Sequence, residues 1–284
     1  MRVYFAGTRG SAPATQPDRA VFGGDTTCLL VTGLRGAQVV LDCGSGLPAI
    51  APRLAPAAEL VLLLTHFHVD HLIGLATFGP LYASGSRLRF AAPRAGGATV
   101  EAALRGLLRA PYWPVELDRV PARLSFADLP PSSGAEPLRI GDLEVRWAPV
   151  PHPDGCTAYR LDDRADGTSL VLATDAEWRD APAELRLGFL TLCREPSPCD
   201  LLICDGQYDD TTAAARHGWG HSSQSQAVEL ARESGARRLL LTHHDPEAVD
   251  ATLAARERAL RAVLSGAAFA RQGDEIDLAR KDAR

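Results

Sequence analysis

The chain is poor in lysine, and 29 of its 30 basic residues are arginines dispersed along the length rather than gathered in a run. A generic nucleic-acid binder needs a basic patch to displace counterions from phosphate, and no such patch is visible in a chain of formal charge −5. Membrane-length apolar runs are also missing, and the opening MRVYFAGTRGS reaches Gly, Thr and Arg too soon for a signal-peptide core. The sequence therefore predicts a cytoplasmic protein. Its six cysteines (Cys28, Cys43, Cys156, Cys193, Cys199, Cys204) contain no CxxC pair, so they indicate neither a disulfide framework nor a thiolate zinc site and read as buried thiols. With 284 residues, 46% of them hydrophobic, the chain can bury a core without such staples, and no linker-like segment divides it. One domain over 1–284 is expected.

What is present is histidine, at positions 66, 68, 71, 152, 217, 221, 243 and 244, three of the eight within six residues. Clusters of His with Asp are how a site for zinc or a similar divalent ion appears in sequence. Short strands are expected at 2–6, 27–32, 37–42, 60–64, 123–126, 143–149, 157–162, 169–173, 200–204 and 238–241. Helices are expected at 47–54, 73–80 and 98–109, from the capping box of Ser223 and Gln226 to Gly235, and from Asp245–Pro246 to Gly266. Residues 181–199 show no clear period. The pentad LLLTH occurs at 62–66 and again at 239–243, each time an apolar strand that delivers a histidine, which suggests two related halves whose strand ends converge.

His66, His68, Asp70 and His71 form HxHxDH directly after the first of these strands. A loop leaving a strand can point His66 and His68 at one ion while Asp70 and His71, at the start of the next turn, reach a second ion beside it. With this motif the sequence resembles the metallo-β-lactamase-fold hydrolases, in which a lone His, a bridging Asp and a final His follow. Here those are His152 in VPHPDG, Asp175 in LATDAE and His243 in LLTHHD. The resemblance implies an α/β four-layer αββα sandwich with the metal site at one edge. It also implies that His66, His68 and His152 bind one metal, Asp70, His71 and His243 the other, and that Asp175 bridges them.

Two features resemble the RNase Z and phosphodiesterase branch in particular: DHLIGL after the motif, and HSSQSQAVELA from His221. By that resemblance His221 is the candidate proton donor to the leaving oxygen. The branch's tRNA-gripping arm has no counterpart, because residues 176–199 are too short and insufficiently basic. The reading is thus a hydrolase with two divalent ions, zinc first and manganese or iron as alternatives, that attacks a small or cyclic nucleotide phosphodiester through a metal-bridging hydroxide oriented by Asp70. Thioester or lactone hydrolysis, iron redox chemistry and a non-catalytic sensor are the rivals. Asp205 is either an orienting partner for a ligand histidine or a turn-former before Gly206. His217 reads as a loop residue, and His244 points away from His243 on an extended segment. Arg105, Arg109, Tyr112 and Trp113 are candidates for substrate contact if residues 94–120 form a lid, against a plain solvated helix face with aromatics packed beneath. A homodimer is the default assembly.

Overall fold

The apolar runs LVLLL, DLLIC and RLLLT are short, rich in branched side chains and largely buried, and each becomes a strand that leads to a polar residue at or just past its end. The computed structural model describes residues 1–55, 59–134 and 136–279. Strands β1 (Arg2–Gly7), β2 (Cys28–Thr32), β3 (Gln38–Leu41), β4 (Glu59–Leu63), β5 (Arg87–Pro93), β6 (Arg123–Leu129) and β14 (Glu275–Asp277) form one sheet, in the order β14-β1-β2-β3-β4-β5-β6. A second sheet runs β13-β12-β11-β10-β9-β8-β7, from β7 (Leu138–Ile140), β8 (Leu143–Val150), β9 (Cys156–Asp163), β10 (Ser169–Ala173), β11 (Leu201–Asp205), β12 (Arg238–Thr242) and β13 (Ala267–Phe269). Strands β3 to β6 are mutually parallel, as are β10 to β13. Strand β8 is antiparallel to β9 and β9 to β10, so β8 shares the direction of the second parallel block.

Between the sheets lies a core that includes Phe5, Val31, Leu63, Trp147, Leu172 and Ile203. The outer face of the second sheet carries helices α2 (Ala183–Arg194), α4 (Gln224–Ser234) and α5 (Asp250–Val263), packed through Phe189, Val228 and Leu253. Over the first sheet lie α1 (Val100–Leu107) and a set of 3-10 turns, packed through Leu104, Ile50 and Leu75. The remaining helix, α3 (Asp210–Ala215), lies in the β11–α4 connection. The result is the expected four-layer α/β/β/α sandwich.

Several elements differ from expectation. The helices expected at 47–54 and 73–80 are 3-10 segments, Leu47–Arg53, Ile73–Thr77 and Gly79–Tyr82, because Pro52, Gly79 and Pro80 interrupt the i−4 ladder. The last helix starts at Asp250; Asp245 instead accepts the Glu247 N–H at 2.9 Å in a separate turn. Helix α2 occupies the aperiodic 181–199 stretch. Buried Arg160 holds its end, donating to the carbonyls of Leu192 (3.0 Å) and Cys193 (2.9 Å), which replaces the local signal that periodicity lacks.

At the foot of α5, buried Glu257 accepts hydrogen bonds from Arg271 (2.7 Å) and the Phe269 N–H (3.0 Å). Burial alone raises a carboxyl pKa, but these donors outweigh it and hold Glu257 below its usual value. A depressed folded-state pKa contributes stability above the unfolded value of about 4.3 and loses it as pH falls through the folded value. Glu257→Gln is therefore expected to cost about 2 kcal/mol at pH 7, or roughly 5 °C in Tm, with the gap to wild type narrowing below about pH 4 in a melting series. A gap independent of pH overturns this account.

Candidate metal centre

Both parallel blocks point their carboxyl ends at the same edge, where side chains leaving different strands can converge. Asp42 follows β3, His66 follows β4, His152 follows β8, Asp175 follows β10, Asp205 ends β11 and His243 follows β12. Three of these residues are non-glycines in the left-handed region: Asp42 (φ 59°), Asp175 (φ 51°) and His243 (φ 59°). Such backbone costs on the order of 1–3 kcal/mol for each residue and survives only where its surroundings enforce it. Gly10 is part of that enforcement, since a Cβ there would lie 2.3 Å from His243 Nδ1.

The side chains converge as two groups that share a wall, beside a third, Asp205, His221 and His243, that has His243 in common with the second. Donor atoms of His66, His68 and His152 lie within 4.8 Å of one another, as do those of Asp70, His71, Asp175 and His243. His152 Nε2 is 3.2 Å from His68 Nδ1. Asp175 faces both groups, with Oδ1 3.9 Å from His66 Nε2 and 3.2 Å from His243 Nε2, and Oδ2 3.2 Å from His71 Nε2. Asp70 Oδ2 stands 3.2 Å from His71 Nε2 and 3.3 Å from His243 Nε2, and accepts the Ser11 N–H at 2.9 Å. All seven residues that the HxHxDH resemblance assigns to metal are thus brought together.

The donor set fits divalent ions. His66 Nε2 and His71 Nε2 are buried without a hydrogen-bond partner, although carboxylate oxygens lie close by, which is the geometry of atoms aimed at a common point rather than at each other. Burial and the neighbouring His71 hold His66 well below its usual pKa, so it stays neutral. Burial opposes ionisation of Asp70 and Asp175, yet the surrounding imidazoles hold both carboxyls well below the usual range. His71 is pushed well up, against burial, by Asp175, Asp70 and Asp42. Three carboxylates around one imidazole leave buried negative charge that calls for cations, and a divalent ion would take the place of the proton that these carboxylates favour on His71.

Asp42 escaped the sequence reading. Its Oδ2 sits 2.8 Å from His71 Nδ1, and it accepts from the Thr65 N–H (2.8 Å) and hydroxyl (2.9 Å). The Thr65 hydroxyl in turn lies 3.0 Å from His66 Nδ1. One buried carboxylate thereby orients a histidine of each group, freeing the opposite ring nitrogens for metal. The available signal was an Asp closing the apolar strand VVL before a Gly-rich turn.

Asp205 does orient a histidine, but it is His221, with Nδ1 2.8 Å from Asp205 Oδ2. Burial lowers a histidine pKa, but Asp205, with Asp175 and Asp70 farther off, outweighs it and raises His221 to about 9. The charged imidazolium stacks on His243 at 4.9 Å and lies 5.6 Å from the His152 ring. His152 is fixed through Nδ1, 2.9 Å from the Gly220 carbonyl.

The other candidates lie elsewhere. His244 is buried on the opposite side of the chain, 2.8 Å from the Ala270 carbonyl, where burial lowers it to about 3. His217 is a surface loop residue 3.6 Å from Glu177 and Asp180. Arg105 is committed to Glu101 (2.9 Å) and Asp118 (2.8 Å), and Trp113 packs on the outer core of the first sheet with its N–H donated to the Tyr82 hydroxyl at 3.0 Å. That arrangement matches the helix-face alternative for Arg105 and Trp113, while Tyr112 stays exposed instead of packing beneath.

An α/β/β/α sandwich whose strand ends gather this His/Asp set defines the metallo-β-lactamase class of fold. Residues 37–244 match the family model of the beta-lactamase superfamily domain, and the chain belongs to that superfamily. Ribonuclease Z of Methanopyrus kandleri is 27% identical over 266 residues, covering 84% of this chain and 85% of its own. Among solved structures, the metallo-beta-lactamase fold protein YhfI from Bacillus subtilis matches with a TM-score of 0.68 at 21% identity, over 97% of this chain and 99% of that one. The short form of human tRNase Z matches with a TM-score of 0.67 at 18% identity, over 98% and 99%. Among the described residues no helix is long and apolar enough to cross a membrane.

Proposed function

We propose that this protein is a dinuclear metal-dependent phosphodiesterase acting on a small or cyclic nucleotide. The observation that carries the reading is the Asp205–His221 pair: a cationic imidazole, tied down at Nδ1 and set beside the ligand cluster, is a proton donor placed for a departing oxygen. The similarity to Ribonuclease Z, a phosphodiester-cleaving enzyme by name, supports it.

His66, His68 and His152 would hold one ion, Asp70, His71 and His243 the other, and Asp175 both; zinc suits this donor set, with manganese or iron next. Two such ions acidify water and offset charge on the phosphoryl group. Asp70, held by the Ser11 N–H, would orient the attacking water, and Asp42 keeps His71 directly, and His66 through Thr65, from turning away. His221 gives its Nε2 proton to the leaving alkoxide while Asp205 stabilises the imidazolium beforehand. A small substrate is favoured because α2, which fills half of the 176–199 segment, packs on the second sheet's outer face and offers no arm to a long nucleic acid.

The test is hydrolysis of cyclic nucleotides and of bis(p-nitrophenyl) phosphate by protein of measured metal content. Activity rising with metal to about two ions per chain is expected. Diester hydrolysis absent from fully loaded protein, with thioester or lactone cleavage present, overturns the proposal.

A further inference from the structure

Three of the large apolar side chains left in solvent lie on segments that carry candidate ligands or the His221 donor: Val69, Ile73 and Trp219, the last 60% exposed. An exposed apolar side chain alone is ordinary, but the position of Trp219 is built. It sits between Gly218 (φ 85°) and Gly220 (φ 89°), a pair of left-handed positions that suits glycine. Both glycine N–H groups donate to Glu177, at 2.9 and 2.8 Å, and Glu177 is two residues beyond Asp175. The Gly220 carbonyl is the partner of His152 Nδ1. One side of the tryptophan loop is therefore fastened to the turn that presents Asp175, and the other to a candidate metal ligand.

The indole is also oriented. The Arg216 guanidinium lies 5.2 Å from the Trp219 ring centre and 4.9 Å from that of Tyr208, and is itself held 3.5 Å from Asp245 and 3.2 Å from Glu247. A fixed cation on one side of the ring, combined with high exposure, leaves the other side to water. Trp219 is two residues from His221, a chain separation of at most about 7 Å, the scale of a single nucleotide.

We propose that Trp219 is the base platform of this site, on which the planar base of a nucleotide substrate stacks while its phosphodiester lies at the His/Asp centre. This rests on the phosphodiesterase reading above. A stacked base suits an exposed indole whose one recorded ring neighbour is the Arg216 guanidinium, because stacking needs one π-face and little surrounding apolar area. A protein partner would need a contiguous surface of roughly 1,000 Å² or more in total.

The experiment is a fluorescence titration of metal-loaded protein with AMP and with ribose 5-phosphate, in wild type, Trp219→Phe and Trp219→Ala, alongside hydrolysis of cyclic AMP and of the base-free ribose cyclic phosphate. AMP is expected to quench wild-type emission and ribose 5-phosphate to leave it unchanged, and Trp219→Phe should lose the quenching yet keep AMP affinity within about threefold. In Trp219→Ala the AMP Kd and the KM for cyclic AMP should rise about tenfold, with ribose 5-phosphate affinity unmoved. Quenching that persists in Trp219→Phe, or AMP affinity indifferent to Trp219→Ala while cyclic AMP is still hydrolysed, overturns the platform alone. Trp219→Ala altering sedimentation but not AMP affinity marks the indole as a protein interface and also overturns it. If no diester is hydrolysed and neither phosphate ligand binds, the phosphodiesterase reading has failed and the platform with it.

Discussion

Asp175→Ala is expected to reduce bound metal from about two ions per chain to one or fewer and to lower diester hydrolysis by more than about 10³-fold. Among the described residues Asp175 is the one carboxylate whose oxygens face both histidine groups, within 3.9 Å of His66 on one side and 3.2 Å of His71 and His243 on the other. Removing it takes a ligand from each ion at once and strips buried negative charge that offsets two cations. Its neighbours cannot substitute, because Asp70 faces only the second group and Asp42 is occupied behind the rings. Metal analysis after exhaustive dialysis is the direct measurement. Melting supplies a second: metal bound to the native state raises wild-type Tm, and chelation removes that gain, so the variant should show little difference with and without chelator. Full occupancy with near-wild-type turnover in Asp175→Ala overturns the bridging assignment.

How much of this centre was legible in the sequence depended on whether a residue's role was local. His66, His68, Asp70 and His71 lie on one loop, so their spacing carries the geometry. His152 and Asp175 are isolated in sequence and became readable only through the resemblance, whereas His243 was also marked by the repeated LLLTH pentad. Asp42 works through contacts 23 and 29 residues away, to Thr65 and His71, and nothing local separates it from an ordinary turn-forming Asp. The fold followed the same division. Buried strands announce themselves as branched apolar runs, whereas α2 depends on Arg160, 32 and 33 residues away, to meet its terminal carbonyls. The 3-10 segments over the first sheet were misjudged because apolar spacing in short runs does not distinguish them from α-helix, whereas the prolines and glycines within them do. Trp219 was passed over for a similar reason. A Gly-Trp-Gly triplet looks like a loose loop until Glu177 is seen closing it.

His221→Ala should separate phosphoryl transfer from its rivals, with metal content kept. Its Nδ1 is committed to Asp205, so the ring serves as a proton carrier and its loss leaves the seven candidate ligands in place. With a cyclic nucleotide the leaving group is a ribose alkoxide, which departs poorly unless protonated, and turnover is expected to fall by about 10²–10⁴-fold. With bis(p-nitrophenyl) phosphate the leaving phenolate is already stable as an anion, and the same substitution should cost less than about tenfold. A thiolate from a thioester is similarly self-sufficient, so a thioester hydrolase would tolerate the change on its own substrate. Asp205→Asn keeps the imidazole but withdraws the charge that favours its cation, and should fall between wild type and His221→Ala on the cyclic nucleotide. Equal losses on the two diesters would mean that His221 holds the site's shape instead of delivering a proton, and loss of metal in His221→Ala would make it a ligand. Only a leaving-group-dependent defect at constant metal occupancy fits the donor role, because protonation matters in proportion to how badly the departing oxygen needs it.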